Sequence, residues 1–294
     1  MDIKDFLAKE KKVIDSALEN FLPSDEKPKI ITKAMRYSLF AGGKRLRPIL
    51  TLTTYRAMGK KQINRILPAA CAIEMIHTYS LIHDDLPAMD DDNFRRGKPA
   101  CHKKFGEAIA ILAGDALFAK SFEVLQKTKG SPETILQINR EISSAVGVSG
   151  MIGGQVMDII SDYENKDKNL LKYIHTHKTG KLISSSMGIG AILADGGVNE
   201  ISAIKHAGEL LGLAFQIVDD ILDIEGTKKR LGKSVSKDKS QKKLTYPAIY
   251  GLDKSRDETI RLLEQTKAIF HNEMKHRNTS KLEQIAEFIV KRVY

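Results

Sequence analysis

Between Asn199 and Ile224 apolar residues return at alternating steps of three and four: Ile201, Ile204, Gly208, Leu211, Phe215, Val218 and Leu222. That spacing is the seam of a packed α-helix. Strand signals are nearly absent. Few segments alternate with period two, there is no Asn-Gly, and the one Asp-Gly, Asp195-Gly196, has no alternating run beside it. Asn64–His83 reads as a second long helix, with Ile66, Ala70, Ile73 and His77 along one stripe and Pro68 near its start, where proline is tolerated. Gly106–Lys120 is apolar nearly all round at Ala108–Ala113, which predicts a helix deep inside a bundle. Breakers at Pro23, Pro28, Gly42-Gly43, Gly97, Pro99, Gly130, Pro132, Gly153-Gly154, Gly196-Gly197 and Gly226 separate these pieces. Most gaps are short, as between antiparallel helices.

Nothing in the composition shifts along the chain, and no fixed period repeats. With 294 residues, 42% of them hydrophobic, a substantial core is available and disorder is excluded. We expect one all-α domain over 1–294, a single large bundle of roughly a dozen helices. The basic, polar stretch Gly226–Lys243 predicts a mobile loop. The longest uncharged runs, Ile142–Met157 and Leu182–Ala194, fall short of the roughly 18 apolar residues a membrane span needs. The start, Met1-Asp2-Ile3-Lys4-Asp5, lacks the apolar core of a secretory signal. Two cysteines, Cys71 and Cys101, make neither a disulfide framework nor a metal spacing. These features predict packing cysteines in a reduced, cytoplasmic protein with no membrane span.

The net charge of +10 asks for an anionic partner: nucleic acid, acidic membrane or phosphorylated small molecules. Two acidic clusters narrow the choice. His83-Asp84-Asp85-Leu86-Pro87-Ala88-Met89-Asp90-Asp91-Asp92 ends the second helix, and acids at a helix C-terminus oppose its dipole. All-oxygen ligands suit a hard cation such as Mg²⁺, which keeps several waters and bridges carboxylate to phosphate. On a straight helix Asp84 and Asp90 would point apart, but Pro87 breaks the helix, so a local bulge brings Asp90 back. The second cluster, Gln216-Ile217-Val218-Asp219-Asp220-Ile221-Leu222-Asp223, puts Asp219, Asp220 and Asp223 on one helix face. Facing each other across a bundle, the two clusters would hold several Mg²⁺ ions.

Bases supply the other half. Gly42-Gly43-Lys44-Arg45-Leu46-Arg47-Pro48 is a turn into a helix whose N–H groups, Lys44 and Arg47 make a diphosphate site. Arg95-Arg96 follows the first cluster, His177-Lys178-Thr179-Gly180-Lys181 forms a third basic turn, and Lys233 follows the second cluster. Gly226 and Gly232-Lys233-Ser234 imitate a P-loop, but the glycines are separated by one residue too many and follow a helix.

Taken together, Gly42–Pro48, His77–Gly106, Gly153–Asp158, Lys178–Lys181 and Phe215–Asp223 resemble the trans-prenyltransferases (polyprenyl diphosphate synthases), most of all the bacterial-type farnesyl diphosphate synthases. The resemblance implies a helical bundle around a deep central cavity, usually a homodimer, that joins isopentenyl diphosphate head to tail with an allylic diphosphate. It implies two or more Mg²⁺ ions, with three expected, on Asp84, Asp85, Asp90, Asp219 and Asp223. Arg95, Lys178 and Lys233 would contact the allylic diphosphate, and Lys44, Arg47, His77 and Arg96 the isopentenyl diphosphate. Thr179 and Gln216 would turn oxygens toward the allylic cation. Tyr79, five residues before Asp84, with Ser80 beside it, would floor the cavity at fifteen carbons. The end of the chain, Ile289–Tyr294, receives no role. The runner-up within the class, a geranylgeranyl diphosphate synthase, would differ mainly at that floor. A terpene cyclase would replace the second aspartate motif with an Asn/Ser/Glu triad. A helical nucleic-acid binder would explain the charge but not the acidic helix ends, and aromatic stacking residues are sparse. A non-catalytic synthase subunit is disfavoured because neither acidic motif is degraded.

Overall fold

The structure is a computed structural model that describes residues 2–161, 165, 167–231 and 244–293, with the backbone alone for 226–231. Lys233 and the rest of 232–243, expected as a mobile loop, lie outside the described residues. Helices account for nearly all regular structure, as expected from the three-four spacing. The chain divides into two compact units, Met1–Arg56 with Lys60–Gln137 and Ala57–Gly59 with Ile138–Tyr294.

In the first unit, helices α1 (Ile3–Phe21), α2 (Lys29–Leu39) and α3 (Leu46–Ala57) lead to α4 (Leu67–Asp84). Helix α4 is buried on nearly every side from Pro68 to Ile76, with Pro68 in its first turn. It packs against α1, α2 and α6, and each of its isoleucines contributes roughly 1.5–3 kcal/mol of burial. A two-residue hairpin follows, β1 (Phe94–Arg95) antiparallel to β2 (Lys98–Pro99). Arg96 and Gly97 make its turn with positive φ, 53° and 75°, as tight hairpins require. Helices α5 (Cys101–Phe105) and α6 (Glu107–Leu125) close the unit. Cys71 and Cys101 are free and buried. Helix α6 is not enclosed as its composition predicts: Ala110, Ala113, Gly114 and Leu117 are buried, but Ile111 and Leu112 are 44% and 52% exposed. Uniform apolarity carries no information about which flank a single chain leaves uncovered.

The division between the units falls inside α7 (Pro132–Val146). The second unit continues with α8 (Met151–Ile160), α9 (Lys168–Ile174), a π-helical turn (His175–Gly180), α10 (Lys181–Leu193) and α11 (Val198–Leu231). It ends with α12 (Tyr246–Tyr250), α13 (Leu252–Asn272) and α14 (Ser280–Val290). Helix α10 is buried from Leu182 to Leu193 and is the counterpart of α4. Helix α11 packs on α10, α13, α14 and the π turn, with Ile204, Leu211 and Val218 of its predicted seam buried. It does not stop at Gly226 but runs to Leu231; one interior glycine costs about 1 kcal/mol, too little to end a helix. Against the expectation of no span, Val198–Glu225 is long and apolar enough to cross a membrane by length and composition. Half of its most apolar window is buried against other helices, which is how a core helix meets the same test.

Candidate active site

Two sets of functional side chains emerge, one in each unit. In the first, Arg45 is the keystone. Its backbone takes φ 52° after Gly42 and Gly43, at 109° and 114°. Its side chain, 1% exposed, donates to Asp15 (2.8 Å), Glu74 (2.8 Å) and the Leu39 carbonyl (2.7 Å). This buried anchor shapes the turn that carries Lys44, which is exposed, and Arg47, which is half-buried. Arg96 comes back from the hairpin to donate to the Gly42 carbonyl. A Cβ at Gly43 would stand 2.6 Å from the Arg96 Cζ and push the guanidinium aside, and the φ of 114° strains any residue but glycine.

His77 faces this array from α4. Burial, and then the guanidiniums of Arg47, Arg96, Arg45 and Arg95, hold its imidazole well below the usual histidine range. Two of these, Arg45 and Arg95, are held by carboxylates, so Arg47 and Arg96 are the guanidiniums beside His77 that would meet an anion. A pocket lined by Tyr37, Ser38, Thr78, Asp85, Arg95 and Arg96 opens in this unit.

The first aspartate segment leaves the helix at once. Helix α4 ends at Asp84, and the Asp90 amide donates to the Asp84 carbonyl at 2.8 Å. The bulge expected from Pro87 therefore returns Asp90 to Asp84. Asp84 and Asp90 are half-buried, whereas the Asp85 side chain is 3% exposed. Arg95 donates to Oδ1 of Asp85, at 2.8 Å from Nε, and to Asp92 at 3.1 Å. Burial pushes the Asp85 carboxyl up against the pull of Arg95.

One turn below, Tyr79 is 8% exposed, its ring edge-on to Phe118 of α6 at 4.9 Å and to His83 at 5.7 Å. Burial, with a smaller push from Asp84, raises its phenol to about 12. Ser80 donates to the His77 carbonyl at 2.9 Å and does not block the face beside Tyr79 with bulk. Phe118 had no sequence signal, because its partnership with Tyr79 exists only through the α4–α6 packing.

In the second unit, Lys178 and Thr179 ride on the π turn, a geometry that collects at functional sites. Lys178 donates to Asp158 at 2.7 Å. Thr179, buried, donates to Gln216 Oε1 at 2.7 Å. That contact needs α11 very near the π turn: a Cβ at Gly212 would stand 2.7 Å from the Gly180 Cα. The second aspartate motif does not keep one face as expected. Asp223 is exposed and Asp219 half-buried, but Asp220 is buried and turned inward to Gln216, His175 and Tyr246. Adjacent helical residues point about 100° apart, so a DD pair cannot share a face.

The end of the chain has a role after all: Arg292 stands 2.9 Å from Asp219 Oδ1, with its guanidinium 5.6 Å from the Phe215 ring centre. Asp158 closes the Gly153–Asp158 stretch but received no role, and neither did Arg292, since each meets its partner from a distant part of the chain. Among the described residues no three carboxylate, imidazole or thiol groups form a closed metal cage. Among the predicted ligands, the accessible carboxylates are Asp84 and Asp90 in the first unit and Asp219 and Asp223 in the second. Open oxygen sets of this kind fit Mg²⁺, which completes its shell with water and substrate phosphate.

A family model described as polyprenyl synthetase matches residues 28–288. The farnesyl diphosphate synthase of Geobacillus stearothermophilus is 46% identical over 255 residues, 86% of each chain. That of Bacillus subtilis is 45% identical over 251 residues, 84% of each chain. A geranylgeranyl diphosphate synthase of Cyanophora paradoxa is 43% identical over 266 residues, 89% of this chain and 88% of the relative. The apo crystal structure of an FPP/GFPP synthase from Zymomonas mobilis aligns with a TM-score of 0.85 at 34% identity, covering 98% of both chains.

Proposed function

The chain belongs to the polyprenyl synthetase family, and on that premise we propose that it joins isopentenyl diphosphate head to tail with dimethylallyl or geranyl diphosphate, releasing farnesyl diphosphate and diphosphate. The observation that carries this reading is the Gly42-Gly43 turn, anchored by the buried Arg45 and closed by Arg96 on the Gly42 carbonyl, which sets Lys44 and Arg47 beside Arg96. A prenyl diphosphate synthase has to grip a diphosphate that is not the leaving group, and Lys44, Arg47, His77 and Arg96 do this for isopentenyl diphosphate.

Asp84, Asp85, Asp90, Asp219 and Asp223 would hold two or more Mg²⁺ ions, three in the full complex. Bound there, Mg²⁺ offsets the negative charge that grows on diphosphate as the allylic C–O bond breaks. Arg95, Lys178 and Lys233 add their charge to the same leaving group. Thr179 and Gln216 turn oxygens toward the allylic cation, which a dry apolar cavity shields from water until the second double bond attacks. The departing diphosphate takes the last proton, so no dedicated base is needed. We treat 1–294 as one catalytic domain, because the residues needed for this one reaction are divided over both units.

Tyr79 supports a fifteen-carbon product. It lies five residues before Asp84, about 7.5 Å along the helix axis, and Phe118 braces its ring. A Tyr79→Ala variant should shift product toward twenty carbons or more, read by chromatography of the dephosphorylated prenols; an unchanged chain length would remove the floor. The exposed Ile111 and Leu112 on α6 support a homodimer, and the free cysteines support a cytoplasmic location. A nucleic-acid partner is disfavoured, because arginines such as Arg45 and Arg95 are spent on internal carboxylates. The test is incubation of the protein with isopentenyl and geranyl diphosphates, with and without Mg²⁺. Farnesyl diphosphate that disappears with EDTA is expected; no condensation, or condensation indifferent to EDTA, would reject the proposal.

A further inference from the structure

Asp220 sits in the second aspartate motif but does not face where a metal would lie. Its side chain is 7% exposed, and its oxygens are committed inside the unit. Oδ1 accepts from Gln216 Nε2 at 3.0 Å. Oδ2 accepts from the Tyr246 backbone amide at 2.8 Å and lies 3.3 Å from His175 Nε2. His175 is itself buried, stacks on Tyr246, and belongs to the π turn that carries Thr179. Hydrogen bonds therefore run Thr179 to Gln216 to Asp220, and the 3.3 Å contact with His175 brings the series back to the turn where it began.

Direction matters more than the count. A carboxylate only accepts, so Gln216 must present its NH₂ to Asp220. An amide has one oxygen, and with Nε2 fixed inward, Oε1 is left for Thr179. The Thr179 hydroxyl then spends its single hydrogen on Oε1. Its lone pairs remain for whatever lies on its other side.

Resting on the proposed prenyl transfer, we propose that Asp220 is a positioning residue for allylic ionisation: it locks the Gln216 amide so that Thr179 offers lone pairs, and not a proton, to the developing cation. A hydroxyl free to rotate would aim its hydrogen at the cation part of the time, and preorganised dipoles stabilise charge because they need no reorientation during the step. The role is distinct from metal ligation, which falls to Asp219 and Asp223.

The test is an Asp220→Asn variant. Asparagine keeps an acceptor for the Tyr246 amide, but its NH₂ then faces Gln216 and favours the flipped amide. We expect kcat to fall about 10–100-fold, less than the roughly 100–1,000-fold for losing a preorganised contact outright, because Thr179 itself remains. KM for both diphosphates and the Mg²⁺ midpoint should stay within about twofold. In a Thr179→Val background the same change should cost less than about twofold, because the group it acts through is gone. Equal losses in both backgrounds, or a Mg²⁺ midpoint that rises with Asp220→Asn, would overturn the proposal. Should the variant not fold, neutron diffraction from the wild-type protein reads the amide directly: Oε1 toward Thr179 is expected, and Nε2 toward Thr179 would refute it. A wild-type protein that makes no prenyl product would instead reject the proposed function, a separate outcome.

Discussion

The two aspartate segments obey one rule and apply it differently. In each DD pair the first residue, Asp84 or Asp219, stays accessible while the second, Asp85 or Asp220, turns into the protein. Their helices differ. Helix α4 stops at Asp84 and folds Asp90 back onto its last carbonyl, whereas α11 runs straight through its motif. The inward partners differ more. Asp85 holds a guanidinium that is one-third exposed, so Arg95 is free to exchange a carboxylate for a phosphate. Asp220 holds an amide, a backbone N–H and an imidazole, none of which can leave for substrate. On the proposed function, the first segment would store a cation for the substrate, and the second would fix the orientation of the residues that face it.

Changes at the accessible aspartates should break the comparison outright. Asp84→Asn and Asp219→Asn would each remove an oxygen proposed for the metal, and turnover should drop about 1,000-fold or more at saturating substrate. Thermal unfolding should scarcely move, since neither residue is buried; equal losses of stability and activity would make the roles structural.

Asp85→Asn probes the exchangeable cation. It removes the buried charge that Arg95 holds and leaves only the partly exposed Asp92 contact, so stability should fall by about 2 kcal/mol in urea. KM for the allylic diphosphate should change as well, in contrast to Asp220→Asn. An unchanged KM would erase the distinction between the segments.

The His77 cluster sets the acid side of stability. Burial first, and then Arg47 and its neighbours, keep the folded imidazole neutral well below the ordinary value near 6.5. The unfolded chain takes up that proton first, so stability is lost as pH falls below about 6.5, at up to about 1.4 kcal/mol per unit. Denaturant midpoints at successive pH values should show His77→Gln with a shallower decline; parallel curves would contradict the assignment. Bound diphosphate should reverse the effect and draw a proton into the site.

Arg292→Ala is the mildest change. The ion pair with Asp219 is partly exposed and contributes under about 1 kcal/mol. Its removal should lower the Mg²⁺ midpoint by about two- to fivefold, because the metal no longer competes with a resident cation. A higher midpoint would show that Arg292 assists the metal instead.

Much of this was legible in the sequence. Motifs of consecutive residues, the aspartate clusters and the glycine-rich basic turn, announce themselves, and Pro87 even foretold the return of Asp90. Arg45, Asp158, Phe118 and Arg292 did not, since each acts on a partner reached only through helix packing. The reading of Asp219, Asp220 and Asp223 as one face failed for a simple reason. Adjacent positions lie about 100° apart, so Asp220 turns to Gln216, Tyr246 and His175 while Asp219 does not. The exposed flank of α6 was hidden because apolar composition looks alike in a core and at an uncovered surface.

The account stands or falls on whether Asp84 and Asp219 hold the metal. Counting bound Mn²⁺ by electron paramagnetic resonance, with inorganic diphosphate present, asks this without requiring turnover. The wild-type chain should bind more than one ion, and Asp84→Asn and Asp219→Asn should each bind fewer, or about tenfold more weakly. Wild-type stoichiometry and affinity in both variants would place the metal elsewhere and contradict the account.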